Sequence, residues 1–377
     1  MKLPIIFRAA TSISILIATA IVTNDRASAV NLDRAITTRD TYKISQNPQQ
    51  QADNLLMSGN QKFQNKDYTG AIADFSRSIQ INPNFEKALY NRAVTYDLSG
   101  NRQGAIDDYN QVIRVNPQNP NSYFNRSVAK EKLGDKQGAM SDLNRVIEID
   151  PQYLDAYLNR GNLLQESGDV QGAINNFSQA IKIKPDRAEA YVNRGLAKYR
   201  SGDRQEAIAD YDLAIKVNSN YALAYNNRAL AKADLGNNKG ATADYDRAIE
   251  INSNSYLSYY GRANLRRQLG DYKGAVTDYD KTIQLKPRYT LAYNNRALAK
   301  KQLKDFQAAI NDCSRAIEIN PDFAEAYYNR AAARQVLKDR SGAINDFQTA
   351  AKFYQQQGSK TKSANALNLV WQLQNQK

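Results

Sequence analysis

The chain has 377 residues and a formal net charge of +13, and 42% of its residues are hydrophobic, so wholesale disorder is excluded. It contains no histidine and a single cysteine, Cys313. This composition excludes Ser-His-Asp and Cys-His catalysis, histidine-based metal sites, an intrachain disulfide and a cysteine metal cluster.

The first 29 residues have the pattern of a bacterial secretory signal. A positively charged start is followed by an apolar stretch over 9–22 and then by the small-residue pattern of Ala27–Ala29. We therefore expect 1–29 to be a cleavable signal peptide. Retention as a membrane anchor stays open, although the apolar stretch is short for a span. The polar residues 30–51 are interpreted as a flexible linker.

From residue 52 onward the sequence repeats with a period of 34 residues, without insertion or deletion. Nine blocks fill 52–357, namely 52–85, 86–119, 120–153, 154–187, 188–221, 222–255, 256–289, 290–323 and 324–357. Positions are numbered 1–34 within each block, and the blocks are numbered from 1 to 9. Such self-similarity is typical of proteins built from one stacked supersecondary unit.

Each block predicts two helices. Position 8 is small, position 20 is always alanine and position 24 is mostly aromatic, so two helices can approach closely on one apolar face. Pairs such as Gly134-Asp135 separate the helices, because glycine ends the first helix in the left-handed conformation and aspartate caps the second. Proline at position 32 of six blocks is expected to stop the second helix.

The pattern A-x-A-Y-x-N-R-G/A, followed by L-G-D, A-I-x-D-Y, A-I and P, resembles the tetratricopeptide repeat family over 52–357. Its Asn-Arg-Gly/Ala variant is most similar to repeats common in cyanobacterial proteins. The resemblance implies an all-α fold: an α-solenoid in which nine helix-turn-helix repeats form a right-handed superhelix whose first helices line a concave groove. Residues 358–377 are expected to form a C-terminal capping helix and tail, with Trp371 packed beneath it.

Two rows of opposite charge depart from the family pattern. Position 7 is arginine in eight blocks, position 11 is basic in seven and position 23 is aspartate in eight. Positions 7 and 11 lie one turn apart on a helix, and half-buried arginines need partners, so the rows predict a structural ladder of ion pairs. An anion-binding ladder is the alternative that stays open. The ladder comprises Arg92, Arg126, Arg160, Arg194, Arg228, Arg262, Arg296 and Arg330 with Asp74, Asp108, Asp142, Asp210, Asp244, Asp278, Asp312 and Asp346.

This ladder also explains most of the net charge. When positions 7, 11 and 23 are counted together, basic residues outnumber aspartates by seven, and that excess is spread along the repeat region. Nucleic-acid binding favours a focused basic patch with interleaved aromatic residues, so no nucleic-acid partner is expected.

A third row, at position 6, is asparagine in seven blocks. In related solenoids an asparagine here lines the concave surface. A carboxamide both donates and accepts, so a row of them suits the backbone of an extended peptide; bonding within the solenoid itself is the alternative. The row comprises Asn91, Asn125, Asn159, Asn193, Asn227, Asn295 and Asn329. Tyr90, Phe124, Tyr260 and Tyr328 at position 5, with Leu223, Leu257 and Leu291 at position 2, complete the predicted groove.

The sequence therefore predicts a non-enzymatic module that binds an extended peptide or partner protein in its groove and requires no cofactor. The alternative is an assembly scaffold for envelope or photosynthetic membrane complexes that uses the convex surface. The family's carboxylate clamp needs lysine at position 5, which no block has. We expect an exported monomer in the periplasm, a thylakoid lumen or the extracellular space, and peripheral membrane association stays open. Cys313 stands at the aromatic position 24 and is expected to be a buried core thiol.

Overall fold

A computed structural model describes residues 47–375, which fall into two compact units that meet in sequence between Pro185 and Asp186. The predicted signal peptide and most of the predicted linker lie outside the described residues. Every regular element in the described part of the chain is an α-helix. The fold is therefore a solenoid of repeated helix-turn-helix units, as predicted.

The unit that precedes Asp186 contains four helical hairpins. Its helices are α1 (Pro48–Gln64), α2 (Tyr68–Ile81), α3 (Glu86–Leu98), α4 (Arg102–Val115), α5 (Pro120–Lys132), α6 (Lys136–Ile149), α7 (Leu154–Ser167) and α8 (Val170–Ile183).

The second unit contains five hairpins and one further helix. Its helices are α9 (Ala188–Ser201), α10 (Arg204–Val217), α11 (Ala222–Asp234), α12 (Asn238–Ile251), α13 (Tyr256–Gln268), α14 (Tyr272–Leu285), α15 (Thr290–Gln302), α16 (Phe306–Ile319), α17 (Ala324–Val336), α18 (Arg340–Gln356) and α19 (Lys360–Asn375). Odd-numbered helices up to α17 are the first helices of their blocks, and even-numbered helices are the second.

The turn inside each hairpin follows the predicted chemistry. Gly134 has a φ of 90°, and the Asp135 carboxylate accepts a bond of 2.8 Å from the Gly138 N–H at the start of α6. Blocks 1, 8 and 9 lack the glycine, and lysine adopts the same left-handed conformation there, with φ of 62–63° at Lys66, Lys304 and Lys338. The hairpin geometry therefore overrides the preference of an L-residue for negative φ.

Proline at position 32 proves dispensable for ending the second helix. Blocks 5 and 6 have Ser219 and Ser253 at this position, yet α10 and α12 end at Val217 and Ile251, in the same register as the others. In both, the residue after the helix has left the helical conformation. The turn into the next block therefore sets the end of the helix.

Small residues bring the two helices of a hairpin into close contact. A Cβ atom added to Gly161 at position 8 would lie 2.6 Å from Cε1 of Phe177 at position 24. Phe177 and the position-20 alanine, Ala173, are both 0% exposed. An added side chain at Gly161 would therefore require the Phe177 ring to shift.

Within each unit the helices form two layers. Each second helix packs against the first helix of its own block and of the next, and neighbouring first helices also contact one another, as α9, α11 and α13 do. Neighbouring second helices make no contact of that extent among the described residues. The first helices are therefore the more closely spaced layer, and we call the surface that they form the inner face.

Two expectations about the ends of the repeat region were wrong. Residues 48–51 are not a linker but the first turn of α1, because Asn47 caps the helix with a bond of 3.1 Å to the Gln49 N–H and Pro48 favours a helix start. Trp371, which lies on α19, does not pack against the last hairpin and is 64% exposed. The buried face of α19 carries Ala366, Val370 and Leu373 instead, and a residue adjacent to Val370 points about 100° away from it.

Candidate functional site: the charge ladder and the inner-face amide row

Arginine at position 7 binds aspartate at position 23 of the same hairpin through two parallel hydrogen bonds. In block 3, Arg126 donates from Nε and Nη2 to the two carboxylate oxygens of Asp142, at 2.8 and 2.5 Å. This two-point geometry is the strong form of an arginine–carboxylate pair. The same bond pair joins Arg92, Arg194, Arg228, Arg262, Arg296 and Arg330 to Asp108, Asp210, Asp244, Asp278, Asp312 and Asp346.

In block 4 a neutral asparagine takes the place of the aspartate in this pair. Arg160 donates from Nε to Oδ1 of Asn176 at 2.8 Å, and the Asn176 amide donates to the Gly172 carbonyl at 2.8 Å. Burial lowers the pKa of Arg160 because no carboxylate faces it.

Most ladder aspartates also bind a second cation, from position 11. The Asp142 carboxylate receives Lys130 Nζ at 2.8 Å, and Asp74 receives Lys62 Nζ at 2.6 Å. In block 1, burial opposes ionisation of Asp74, but hydrogen bonds from Lys62 and Ser58 outweigh it and hold its pKa below the ordinary value. Block 2 has Tyr96 at position 11, so Asp108 lacks the second cation. There burial prevails over the single Arg92 partner and raises the pKa of Asp108.

The same arginines also join consecutive hairpins. Arg228 donates from Nη1 to Asp212 of the preceding block at 2.5 Å, and its guanidinium lies 5.4 Å from the ring centroid of Tyr225. Arg262 and Arg296 repeat this contact with Asp246 and Asp280. Because these guanidinium groups already have three acceptors and an aromatic neighbour, the geometry favours the structural ladder over an anion-binding one.

The inner-face amide row is defined as the seven asparagines at position 6, and within each unit several of them bond to a neighbouring first helix. Asn91 donates to Asn60 at 2.7 Å, Asn125 donates to the Tyr90 hydroxyl at 2.8 Å, and Asn329 donates to Asn294 at 2.8 Å. Each bond crosses from one first helix to the preceding one. The amides therefore help to join the blocks, and part of the row serves the fold itself.

The row is not equally accessible along its length. Asn91, Asn159, Asn295 and Asn329 are half-buried, whereas Asn125, Asn193 and Asn227 are buried. Asn193 Nδ2 and both polar side-chain atoms of Asn227 have no hydrogen-bond partner, and the same holds for both polar atoms of Asn226 at position 5. Sequence reasoning missed Asn226, although its departure from the aromatic residues common at position 5 was a visible signal.

The aromatic residues predicted to line the groove are largely core residues. Phe124 is 2% exposed and packs against Tyr153, and Tyr260 is 4% exposed and packs against Tyr279 and Tyr289. The prediction that Phe124 and Tyr260 line the groove is therefore wrong, because packing between blocks covers both rings. Tyr90 and Tyr328 are half-buried, as are Leu223, Leu257 and Leu291. Burial raises the pKa of Tyr90 to about 12.

Three further observations on residues 47–375 concern a thiol, metal ligands and membrane-spanning helices. Cys313 is buried, as expected, and burial raises the pKa of its thiol to about 12. Across 47–375, no group of histidine, cysteine or acidic side chains is arranged to hold a metal ion. None of the described helices combines the length and apolar character needed to cross a membrane.

Comparison with protein families identifies the repeat unit. Models of the tetratricopeptide repeat match 59–100, 161–202, 263–304, 86–119, 290–323, 192–256 and 120–153. The chain therefore belongs to the tetratricopeptide repeat family. Comparison with curated proteins gave no significant match.

Two of the similar solved structures share the fold at low sequence identity, and a third matches a shorter part of the chain. The Cut9–Hcn1 hetero-tetramer of the APC/C is 16% identical and has a TM-score of 0.55, covering 80% of this chain and 59% of its own. A tetratricopeptide repeat protein from Parabacteroides merdae is 21% identical with a TM-score of 0.52, covering 66% of this chain and 98% of its own. MamA is 26% identical with a TM-score of 0.43, covering 46% of this chain and 94% of its own.

Proposed function

We propose that this protein is a non-enzymatic binding module that holds an extended segment of a partner protein along its inner face. Tetratricopeptide repeat proteins are in general interaction modules without catalytic activity, which supports a binding function. The inner-face amide row is the surface to which we assign that binding.

The observation that carries the proposal is the difference between the two rows. The ladder arginines and aspartates are consumed by bonds within and between hairpins, whereas the amide row keeps unused hydrogen-bonding capacity. Asn91, for example, is half-buried and makes one bond, from Nδ2, while a carboxamide can donate two bonds and accept two. Because an amide matches both the N–H and the C=O of a peptide group, such a row suits a segment of varied sequence.

The expected affinity is modest. Each added hydrogen bond contributes about 1 kcal/mol net, and ordering an extended peptide opposes binding, so an affinity near the micromolar range is expected. We further propose that binding takes place after export, which the predicted signal peptide supports.

The test is a paired capture experiment. The chain from residue 30 and an Asn91→Ala/Asn159→Ala/Asn329→Ala variant serve as baits for proteins of the native envelope and exported fraction, with mass spectrometry as the readout. Circular dichroism and thermal melting first establish that the variant is folded. A partner bound by the natural chain and lost by the variant supports the proposal, whereas equal capture by both baits contradicts it.

A second candidate surface lies at the hairpin turns of the second unit. Four successive blocks place a leucine at the end of their first helix, Leu235, Leu269, Leu303 and Leu337, and these are 39–55% exposed. A row of exposed leucines suits docking of a folded partner, as the scaffold alternative requires. Docking on these leucines would be favoured if the asparagine variant still captures the partner and a variant with the four leucines changed to glutamine does not.

A further inference from the structure

One stretch of ten residues occurs twice in the second unit. Leu-Ala-Tyr-Asn-Asn-Arg-Ala-Leu-Ala-Lys is found at 223–232 in α11 and at 291–300 in α15, at the same positions of blocks 6 and 8. Both copies carry asparagine at positions 5 and 6. The two copies therefore place the same side chains beside different neighbouring blocks, so their hydrogen bonds can be compared directly.

In block 8 the paired amides are well bonded. Asn295 Nδ2 donates to the Tyr260 hydroxyl at 2.9 Å and to Asn264 Oδ1 at 3.0 Å. Asn294 Oδ1 accepts a bond of 2.8 Å from Asn329 Nδ2, and Asn294 Nδ2 donates to Asn295 Oδ1 at 3.3 Å. The partners come from positions 5 and 9 of the preceding block and from position 6 of the following one.

In block 6 the same two amides have no partners at all. Asn226 and Asn227 are each 2% exposed, and neither Nδ2 nor Oδ1 of either residue makes a hydrogen bond. Asn193 of the preceding block is equally buried, and its Nδ2 is also unpartnered. We call Asn193, Asn226 and Asn227 the orphan amide cluster.

Three differences in neighbouring blocks explain the loss. The positions that hold Tyr260 and Asn264 beside the second copy hold Val192 and Leu196 beside the first. The position of Asn329 is taken by Gly261. Each group that completes the bonding in block 8 is thus replaced by one that can neither donate nor accept from its side chain.

Gly261 cannot simply be exchanged for the missing asparagine. A Cβ atom there would lie 2.5 Å from Cε1 and 2.7 Å from the hydroxyl oxygen of Tyr245. The buried Tyr245 ring fills the space in which a position-6 side chain would begin. The bonding is therefore not restored from within the chain unless that ring moves.

Buried polar atoms without partners destabilise the arrangement that contains them, and they gain when another molecule supplies the missing bonds. We infer that the orphan amide cluster is an anchor site for an uncharged hydrogen-bonding side chain, an asparagine or glutamine, carried by the extended segment that binds along the inner face. This inference rests on the proposed function and locates the strongest point of contact.

Block 8 indicates the chemistry of the ligand. The groups that satisfy the identical amides there are two carboxamides and one hydroxyl, all neutral. A carboxamide from the ligand would take the place of Asn329, with its oxygen accepting and its nitrogen donating. A carboxylate could accept bonds from the cluster but could not donate to the Asn226 and Asn227 oxygens, so an acidic side chain is disfavoured.

Entry requires the side chains that cover the cluster to part, because the amides are buried. The absence of internal hydrogen bonds lowers the free-energy cost of that opening, because water can bond the amides once they are exposed. Burial without hydrogen-bond partners is thus unfavourable for these three side chains.

The first test uses stability alone. Leucine has the branched shape of asparagine without its polar atoms, so Asn226→Leu/Asn227→Leu is compared with the matched control Asn294→Leu/Asn295→Leu by urea unfolding of the second unit within the whole chain. The block 6 variant is expected to keep or raise the unfolding midpoint, and the block 8 variant to lower it. An equal decrease in both variants would overturn the inference, because it would show that the block 6 amides are satisfied within the protein.

The second test uses binding of a fluorescein-labelled twelve-residue peptide of alternating asparagine and alanine, with an aspartate–alanine peptide as its control. The natural protein is expected to prefer the asparagine peptide, and the block 6 variant to lose about tenfold or more of that affinity, equivalent to two net hydrogen bonds. The block 8 variant, where it remains folded, is expected to lose less. No binding of the asparagine peptide by the natural protein, or equal binding by the block 6 variant, would overturn the inference.

The inner-face function and the anchor site can be tested separately. If the Asn91→Ala/Asn159→Ala/Asn329→Ala variant loses its captured partner while the block 6 variant keeps it, the anchor site is wrong and the inner-face function stands. If neither variant loses a partner that the natural protein captures, the inner-face function itself is wrong.

Discussion

Arg92 and Asp108 face each other across the α3–α4 hairpin through two hydrogen bonds of 2.7 Å, yet the pKa of Asp108 is raised. Asp74, in the preceding hairpin, lacks an arginine at position 7 and nevertheless has a lowered pKa. Asp74 receives hydrogen bonds from Lys62 and Ser58 and lies near the charge of Arg77. Asp108 has Arg92 as its cation, with Tyr96 at position 11 and the like charge of Asp107 beside it, so burial prevails there. The set of neighbours therefore decides in which direction the pKa of each of these two aspartates moves.

This difference predicts opposite pH dependences. The folded-state pKa of Asp74 lies below its unfolded value of about 3.9, so its stabilising contribution is complete above that value and is lost as pH falls through the folded pKa. The folded-state pKa of Asp108 lies above its unfolded value, so stability falls as pH rises from the unfolded to the folded pKa. Urea unfolding of Asp74→Asn and Asp108→Asn between pH 3 and pH 7 measures both slopes.

We expect Asp74→Asn to weaken the acid-side loss of stability, and Asp108→Asn to remove an opposing slope. At pH 7, Asp108→Asn should cost less than Asp142→Asn, because Asp142 binds both Arg126 and Lys130. The natural Arg160–Asn176 pair shows that an amide fits this position. Equal costs at pH 7 for the two substitutions would contradict the role given to the second cation.

A second prediction concerns the whole ladder. Arg126→Met should destabilise the first unit by about 3 kcal/mol, because it leaves the buried Asp142 carboxylate without its main partner. The control is Arg145→Met, which removes a solvent-exposed pair with Glu148 and should change stability far less. Chemical unfolding of both variants provides the comparison, and similar losses in the two would show that the ladder pairs behave as ordinary surface pairs.

A third prediction uses the left-handed lysines. Replacing Lys66, Lys304 or Lys338 by glycine should stabilise the protein by about 0.5–1 kcal/mol each, because glycine adopts positive φ without the steric cost and loses only part of that gain to unfolded-state entropy. Gly134→Ala, which introduces the steric cost at the equivalent turn, should destabilise by about 1 kcal/mol. A loss of stability in the glycine variants, measured by thermal melting, would contradict this account of the turn.

A fourth prediction concerns Cys313. The thiol is 0% exposed and its pKa is raised to about 12, so the nucleophilic thiolate is scarce and inaccessible at pH 8. Reaction with a chromogenic disulfide reagent should be slow in native protein and fast in 6 M guanidinium chloride. Rapid stoichiometric labelling of the native protein would show that α16 opens readily in solution.

The repeat architecture could be predicted because every block imposes the same local demands. A small residue at position 8 and Ala173 and its equivalents at position 20 admit only closely packed hairpins. Arginine at position 7 and aspartate at position 23 are 16 residues apart, which brings them together in any such hairpin. The ladder therefore follows from the sequence period alone.

The features that could not be predicted depend on differences between blocks. The missing bonds of Asn227 depend on Val192 and Leu196, and those of Asn226 depend on Gly261. A pattern averaged over the blocks does not show these differences. The position of Trp371 could not be predicted because the 34-residue repeat ends with α18. The repeat pattern therefore gives no indication of which face of α19 is buried. Phe124 and Tyr260 were placed in the groove because position alone does not reveal how closely neighbouring first helices pack.

Hydrogen–deuterium exchange of the protein, with and without a partner captured by the natural chain, locates the bound surface. Binding along the inner face should add protection in the first helices, above all α9, α11 and α13 around the orphan amide cluster, with little change in the second helices. Protection confined to the second helices or to the hairpin turns that carry Leu235 and Leu269 would contradict binding along the inner face.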